Sequence, residues 1–393
     1  MVSQATPPQG APENDWFRFY FASWYKKSPY FQRTVEAGCT SWDLYNHMLI
    51  PTLYDDDVKE YWHLLNHVTL WDVAVERQVE ITGPDAARFT QLLTPRDLSR
   101  TEVGQCKYVL ICAPDGGIIN DPILLRLADD HFWLSLADSD ALLYAVGVQA
   151  FAGLNVTIRE PDVSPLQLQG PGSKDVIRDL FGDEVADLRY YWHAQTELDG
   201  IPLVVSRTGW TGEIGYELYL RDASRGIELW DKVMAAGEPH EIRAIAPSDQ
   251  RRMEAGIFNY GNDMDVTNNP HEVTGLERLV ELDNDNQVVS REALEAIATE
   301  GVSQKLVGVR LEGEPLGMWL EDFWPVLSGG ETVGKLTSAS YSPRLEINMG
   351  YAWVPIELAA HGTRVQVGSP AGSMQAEVVP LPFWDTNKEV PKG

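Results

Sequence analysis

Apolar and polar positions change period several times along this chain. From Trp71 to Gly83 (WDVAVERQVEITG) the residues alternate, with Val73, Val75, Arg77, Val79 and Ile81 on one face, and predict one half-buried strand. Val58–Val68 (VKEYWHLLNHV) has helical spacing, with Val58, Trp62 and Leu65 on one face and Asp55–Asp57 as its cap. PDAARFTQLL (Pro84–Leu93) predicts a helix with proline in its first turn. Ala141–Phe151, Ser173–Phe181 and Ser248–Met264 also read as helices, the last running into a glycine turn. Strands are predicted at Tyr108–Cys112 and Ile118–Leu127, around a Gly116-Gly117 turn, and at Leu166–Leu168, which ends in Gln169-Gly170-Pro171. Val204–Tyr219 reads as two strands flanking a glycine-rich turn. Before all of these, an aromatic stretch, Trp16–Tyr25, is closed by a turn signal at Lys26–Pro29.

This mixture predicts an α+β core rather than a doubly wound sheet. The pattern changes near residues 285–305. Beyond that point short apolar strands alternate with turns at Leu306–Leu311, Trp324–Leu327, Thr332–Thr337, Met349–Val354, Thr363–Val367 and Met374–Val379. Such spacing predicts a small β-barrel or sandwich. The expected organisation is a disordered tail over residues 1–15, a core over 16–300 and a C-terminal barrel domain over 301–393.

Composition narrows the function. The 393 residues carry 31 basic and 58 acidic side chains, a formal charge of −27, which disfavours nucleic acid and anionic membranes as partners. No apolar run approaches the roughly 18 residues of a membrane span. The start, MVSQATPPQGAPEND, has neither the basic nor the apolar region of a secretory signal. Cys39, Cys106 and Cys112 form no CxxC pair, so a reducing cytoplasm is the expected setting.

Several residues suggest chemistry. Gly209, Gly212 and Gly215 let the backbone approach a neighbour closely or take φ > 0. Glu217, between Tyr216 and Leu218, faces either solvent or a ligand with paired N–H donors. His63 and His67 lie one helical turn apart, a metal-ligand spacing, but no third ligand is near in sequence and helix-surface histidines are the preferred reading. Asp121, just after the Gly-Gly turn, is on its own terms a turn former.

The run SRTGWTGEIGYEL (Ser206–Leu218) resembles the signature of the tetrahydrofolate-dependent aminomethyltransferases, the T protein of glycine cleavage and its relatives. Further blocks follow in the family's order: DGGIINDPILL (Asp115–Leu125), LQGP (Leu168–Pro171), EAGIFNYGNDMD (Glu254–Asp265), NNPHEVTGLE (Asn268–Glu277) and TSASYSP (Thr337–Pro343). The resemblance implies a folate-binding core with a C-terminal barrel and tetrahydrofolate as cofactor. It makes Asp121 the catalytic carboxylate, with Asn120 in place of a neighbouring acid. It makes Glu217 the pterin-binding carboxylate and Tyr108 a folate contact. Trp210 stands where the T protein usually has Tyr. Tyr191 either stacks on the folate or packs in the core. The family's arginine for the folate tail is replaced by Ser248, with Arg251 or Arg252 as substitutes; Arg252 is the chosen candidate.

Other blocks, YNHMLIP (Tyr45–Pro51), VAVERQVEI and ADSD (Ala137–Asp140), resemble the dimethylsulfoniopropionate demethylases, whose turn keeps the Trp but lacks the TGE present here. These imply transfer of a methyl group from a sulfonium, or another methylated onium compound, to tetrahydrofolate. Aromatic faces hold such a cation at about 0.5–2 kcal/mol each; Trp210, Trp192, Tyr45 and Trp42 are the candidates. The partner is therefore a small-molecule methyl donor, with no nucleic acid, no membrane and the oligomeric state open. A glycine-cleavage aminomethyltransferase and a non-catalytic folate-binding protein are the rival readings. The acidic charge disfavours the first, which must dock an acidic lipoyl carrier.

Overall fold

The computed structural model describes residues 22–317, 320 and 322–393. The expected tail, and most of the aromatic stretch beginning at Trp16, lie outside the described residues.

The core is built on two sheets packed face to face. The first has six strands in the order His193–Leu198, Ile201–Ser206, Gly215–Leu220, Ser164–Gln169, Thr69–Asp72 and Arg243–Ala244. The second has five: Thr157–Arg159, Gln78–Thr82, His131–Ser135, Ile123–Ala128 and Cys106–Tyr108. Alternate residues of each strand point to opposite faces. Leu166, Leu168, Tyr216 and Leu218 therefore pack under the helices Ser173–Phe181 and Gly226–Gly237, through Val176, Ile177, Leu229 and Trp230. Val79, Ile81, Phe132 and Leu134 pack under Ala86–Leu93 and Ala141–Ala152. Between the sheets lie Cys106, Leu125, Leu127, Trp133, Val204 and Tyr219.

The C-terminal strands close into a six-stranded barrel running from Gln304–Leu311 to Gly372–Val379, as the spacing of short strands predicts. The barrel shares apolar contacts with the core: Met349, Tyr351 and Trp353 cluster with Leu110, Met253 and Phe258. The TSASYSP block fastens the two together. Thr337 and Ser338 donate to Asp263 at 2.8 and 2.6 Å, and Ser342 donates to Glu254 at 2.6 Å.

Six expectations are corrected. Trp71–Gly83 is two strands, Thr69–Asp72 and Gln78–Thr82, placed in different sheets. Asp72 turns the chain by accepting from the Ala74 N–H, and Val73, Ala74 and Val75 are all buried rather than alternating. Ile118–Leu127 breaks between Asn120 and Ile123, because Pro122 has no N–H for a ladder. The helix predicted over Ser248–Met264 is helical only at Asp249–Glu254; Gly256, at φ +69°, ends it. The helix Asp57–Asn66 buries Tyr61, His63 and Leu64, while Val58 and Trp62 are about 40% exposed (42% and 41%). Glu60 decides that orientation: its carboxylate accepts N–H groups from Tyr54, Asp55 and Ala246. His63 is consequently not a surface residue, and its Nε2 lies 2.7 Å from the Glu241 carbonyl. Finally, residues 380–393 leave the barrel and return to the core, where Trp384 N–H donates to Glu254 O at 2.9 Å and Arg207 to Pro391 O at 2.7 Å.

Among the described residues no helix is long and apolar enough to cross a membrane, and the three cysteines are free and buried.

Candidate active site

A cavity of about 670 Å³ lies between the two sheets, closed at one side by the 254–260 turn and the returning C-terminal segment. Strand register builds its inner wall. Gln167 and Ser206 are the direct cross-strand neighbours of Glu217, so the three form one polar row on the face opposite Tyr216 and Leu218. Glu217 is 2% exposed. Its Oε1 accepts from Gln167 at 2.6 Å, and its Oε2 accepts from Tyr219 at 2.9 Å and from the Thr208 hydroxyl. Burial raises the Glu217 carboxyl above the usual range, and these donors oppose that shift.

The glycines of the SRTGWTGEIGYEL turn make this arrangement fit. A Cβ on Gly215 would sit 2.3 Å from the Gln169 amide, which accepts from Thr211 at 2.7 Å, and Gly212 takes φ +67°.

Across the cavity the break at Pro122 projects Asp121. Tyr108 Oη donates to Asp121 Oδ2 at 2.9 Å, and Asp121 Oδ1 is buried without a partner among the described residues. Burial pushes the Asp121 carboxyl up to about 7, with the Tyr108 hydrogen bond working against it. Tyr45, at the end of the hairpin Ser41–Tyr45 and Met48–Leu53, also lines the cavity. Its position follows from Asn46, at φ +48°, whose amide donates to the Val75 and Ala137 carbonyls at 2.9 and 3.1 Å.

The structure thus brings together Asp121, Tyr108, Glu217, Trp210, Tyr191 and Tyr45. It does not bring in three other candidates. Trp192 stacks under the Arg189 guanidinium at 3.9 Å; Tyr191 takes φ +62° beside it and is the ring that lines the cavity. Trp42 packs against Phe31, with ring centroids 5.7 Å apart, in a separate cluster with Cys39 and Tyr54. Arg252 is fully buried and committed to Asp249, Asp263 and Ser338, so it offers nothing to a ligand. Arg251 lines the cavity but is paired with Glu213 and Glu254.

Sequence reasoning missed Glu76, Gln167 and the cations of the mouth, Arg96, Arg207, Arg278 and Lys388. A signal existed for the first two: a Glu inside VAVERQVEI and a Gln inside LQLQ are polar residues in apolar strands. The mouth cations come from four distant segments and carry no local signature.

Comparison with known proteins gives the family and the fold. Residues 8–284 match the GCVT N-terminal domain family, and residues 304–385 match the glycine cleavage T-protein C-terminal barrel domain family. The chain is 38% identical over 359 residues to dimethylsulfoniopropionate demethylase DmdA of Ruegeria pomeroyi, covering 91% of this chain and 97% of that protein. It is 30% identical over 364 residues to an aminomethyltransferase of Desulfitobacterium hafniense, covering 91% and 98%. The crystal structure of the glycine cleavage system aminomethyltransferase T from Bartonella henselae shares the fold, with a TM-score of 0.82 at 24% identity over 91% of this chain and 98% of that one. With both domains matched and the two-sheet core and closed barrel in place, the chain belongs to the glycine cleavage T-protein family of folate-dependent one-carbon transferases.

Proposed function

We propose that this protein moves a methyl group from a methylated onium compound, with dimethylsulfoniopropionate as the preferred donor, to tetrahydrofolate. The observation that carries this reading is the inner wall of the cavity. Glu76, Glu217 and Asp121 line it together with the rings of Tyr45, Tyr191 and Trp210, a lining that suits a permanent cation. The greater identity to the demethylase than to the aminomethyltransferase supports the same choice.

The residues fit a reduced folate. Glu217 Oε1 holds only the Gln167 amide and keeps an acceptor direction for a pterin N–H. Gln167 Oε1 and Asp121 Oδ1 are buried oxygens without partners among the described residues, the kind of acceptors that ring N–H and amine donors complete. At the mouth, Arg96, Arg278 and Lys388 stand where Arg252 does not, and hold the carboxylates of the folate tail. The folate supplies the nucleophilic ring nitrogen. Positioning does most of the work, because the donor is already activated. As the methyl–sulfur bond breaks and the methyl–nitrogen bond forms, sulfur keeps the bonding electron pair and leaves as a neutral thioether. Asp121 Oδ1 takes the proton released at the nitrogen, and Tyr108 holds the carboxylate in place.

The test is incubation of the pure protein with tetrahydrofolate and dimethylsulfoniopropionate, read by mass spectrometry. Methyl-tetrahydrofolate that disappears in Asp121→Ala supports the reading. Absence of that product, together with methylene transfer from an aminomethyl-lipoyl carrier protein, would replace it with the glycine-cleavage activity.

A further inference from the structure

The crossing between the two sheets ends in a carboxylate without a counter-ion among the described residues. Val73–Arg77 carries the chain from one sheet to the other and leaves the Glu76 side chain in the cavity. Glu76 Oε1 lies 3.2 Å from Gln167 Nε2, the same nitrogen that stands 2.6 Å from Glu217 Oε1. Two carboxylates therefore share one amide. Gln167 itself is 1% exposed, lines the cavity, and its own Oε1 has no partner among the described residues.

Several buried carboxylates in this chain are balanced by a cation, while Asp72 and Glu60 are held by hydroxyl or N–H donors instead. Glu80 has Arg159 and His131, Glu254 has Arg251, and Asp263 has Arg252. Around Glu76 the titratable neighbours are Glu217 from the adjoining strand, Tyr219 two residues along it, and Tyr45 from the hairpin. Tyr45 in turn faces Asp121 and Asp138, and Tyr219 faces Cys106. None of these groups is cationic. The neighbouring Arg77 is taken by Glu160.

We propose that Glu76 is the counter-ion for the fixed positive charge of the methyl donor, and so the residue that selects a cationic donor over its neutral analogue. This rests on the methyl-transfer reading above and names the residue that enforces its substrate class. Burial, and then Glu217, hold the Glu76 carboxyl well above the usual carboxylate range, so the empty cavity keeps a proton on the pair instead of two charges. A sulfonium or quaternary ammonium has no proton to lose. On binding it displaces the one on the pair: onium plus Glu76–COOH gives the onium–carboxylate contact plus a proton released to solvent. After methyl transfer the donor is a neutral thioether, the attraction disappears, and Glu76 is reprotonated as that product leaves. One residue therefore favours substrate over product.

The test is calorimetric titration of the full chain, without folate, in two buffers of different ionisation enthalpy between pH 6 and 8.5. The probes are dimethylsulfoniopropionate, its demethylated thioether, and tetramethylammonium, which carries the charge alone. The expected result is a preference of at least about tenfold for the sulfonium over the thioether at pH 8. Sulfonium binding releases a proton and weakens on acidification, while thioether binding does neither. Glu76→Gln, which keeps the contact to Gln167, removes the preference and the proton release; Glu76→Asp restores part of both. A Glu76→Gln protein that still prefers the cation and still releases the proton would overturn the inference, as would a wild-type protein with no preference. Tetramethylammonium separates this from the choice of donor. If it binds to wild type and is lost in Glu76→Gln, the role of Glu76 stands even where dimethylsulfoniopropionate yields no methyl-tetrahydrofolate.

Discussion

Asp121→Asn should stabilise this protein at alkaline pH while abolishing methyl transfer. The substitution keeps the shape of the side chain and an acceptor for Tyr108 Oη, which lies 2.9 Å from Asp121 Oδ2. It removes a carboxyl that burial pushes from 3.8 up to about 7. Those roughly three pKa units correspond to about 4 kcal/mol at about 1.4 kcal/mol each. Asp121 is only half-buried and opens onto the cavity, so water screens part of that, and about 1–2 kcal/mol is the figure to expect. The folded protein holds this proton more tightly than the unfolded chain does. The Asp121 contribution is therefore fully present below the unfolded pKa and is lost as pH rises through about 7. Urea denaturation at pH 4, beside the unfolded pKa, and at pH 8.5, above both pKa values, measures it. Wild type should lose about 1–2 kcal/mol relative to Asp121→Asn over that interval. Asp72, which burial also pushes up to about 7, titrates in both proteins, so only the difference between their profiles belongs to Asp121. The same ionisation governs the chemistry: kcat should rise with pH through about 7 in wild type. Parallel stability profiles, or an Asp121→Asn enzyme with the wild-type rate and pH dependence, would refute the assignment of Asp121 as the base.

Two further substitutions test the rest of the site. Glu217→Ala removes the carboxylate that accepts from Gln167, Tyr219 and Thr208, and folate affinity measured by fluorescence titration should fall by tenfold or more. Arg252→Met strands Asp249 and Asp263 without their cation and should cost about 3–5 kcal/mol in urea denaturation. Since Arg252 lies outside the cavity lining, the folate affinity of the surviving folded protein should stay within about twofold of wild type.

The family resemblance was legible because its motifs are local. The SRTGWTGEIGYEL turn needs glycines where Gly212 takes φ +67° and where a Cβ on Gly215 would strike Gln169, and those demands are written in consecutive residues. Asp121 was legible for the same reason, as an acid placed between a Gly-Gly turn and Pro122. Short strands at regular spacing announced the barrel, because each strand needs its own apolar face and its own turn. The errors arose where a residue's place depends on something distant. Trp192 and Trp42 are aromatic residues near motif blocks, but the Tyr191 backbone at φ +62° and the Phe31 contact decide which rings line the cavity. Arg252 looked free in sequence, and its partner Asp263 lies eleven positions away across a glycine turn.

What the sequence determined by itself is the two-domain fold, the folate-family turn and the choice of Asp121, Tyr108 and Glu217 as candidates, all of which rest on periodicity or on motifs a few residues long. Tertiary structure alone decided the rest. The Gln167–Glu217–Ser206 row depends on the register of three antiparallel strands, and the entry of Glu76 into the cavity depends on a chain that changes sheets in mid-pattern. The basic mouth is assembled from segments as far apart as Arg96 and Lys388. Register and long-range juxtaposition arise from how apolar faces are buried against one another, and no window of neighbouring residues encodes that choice.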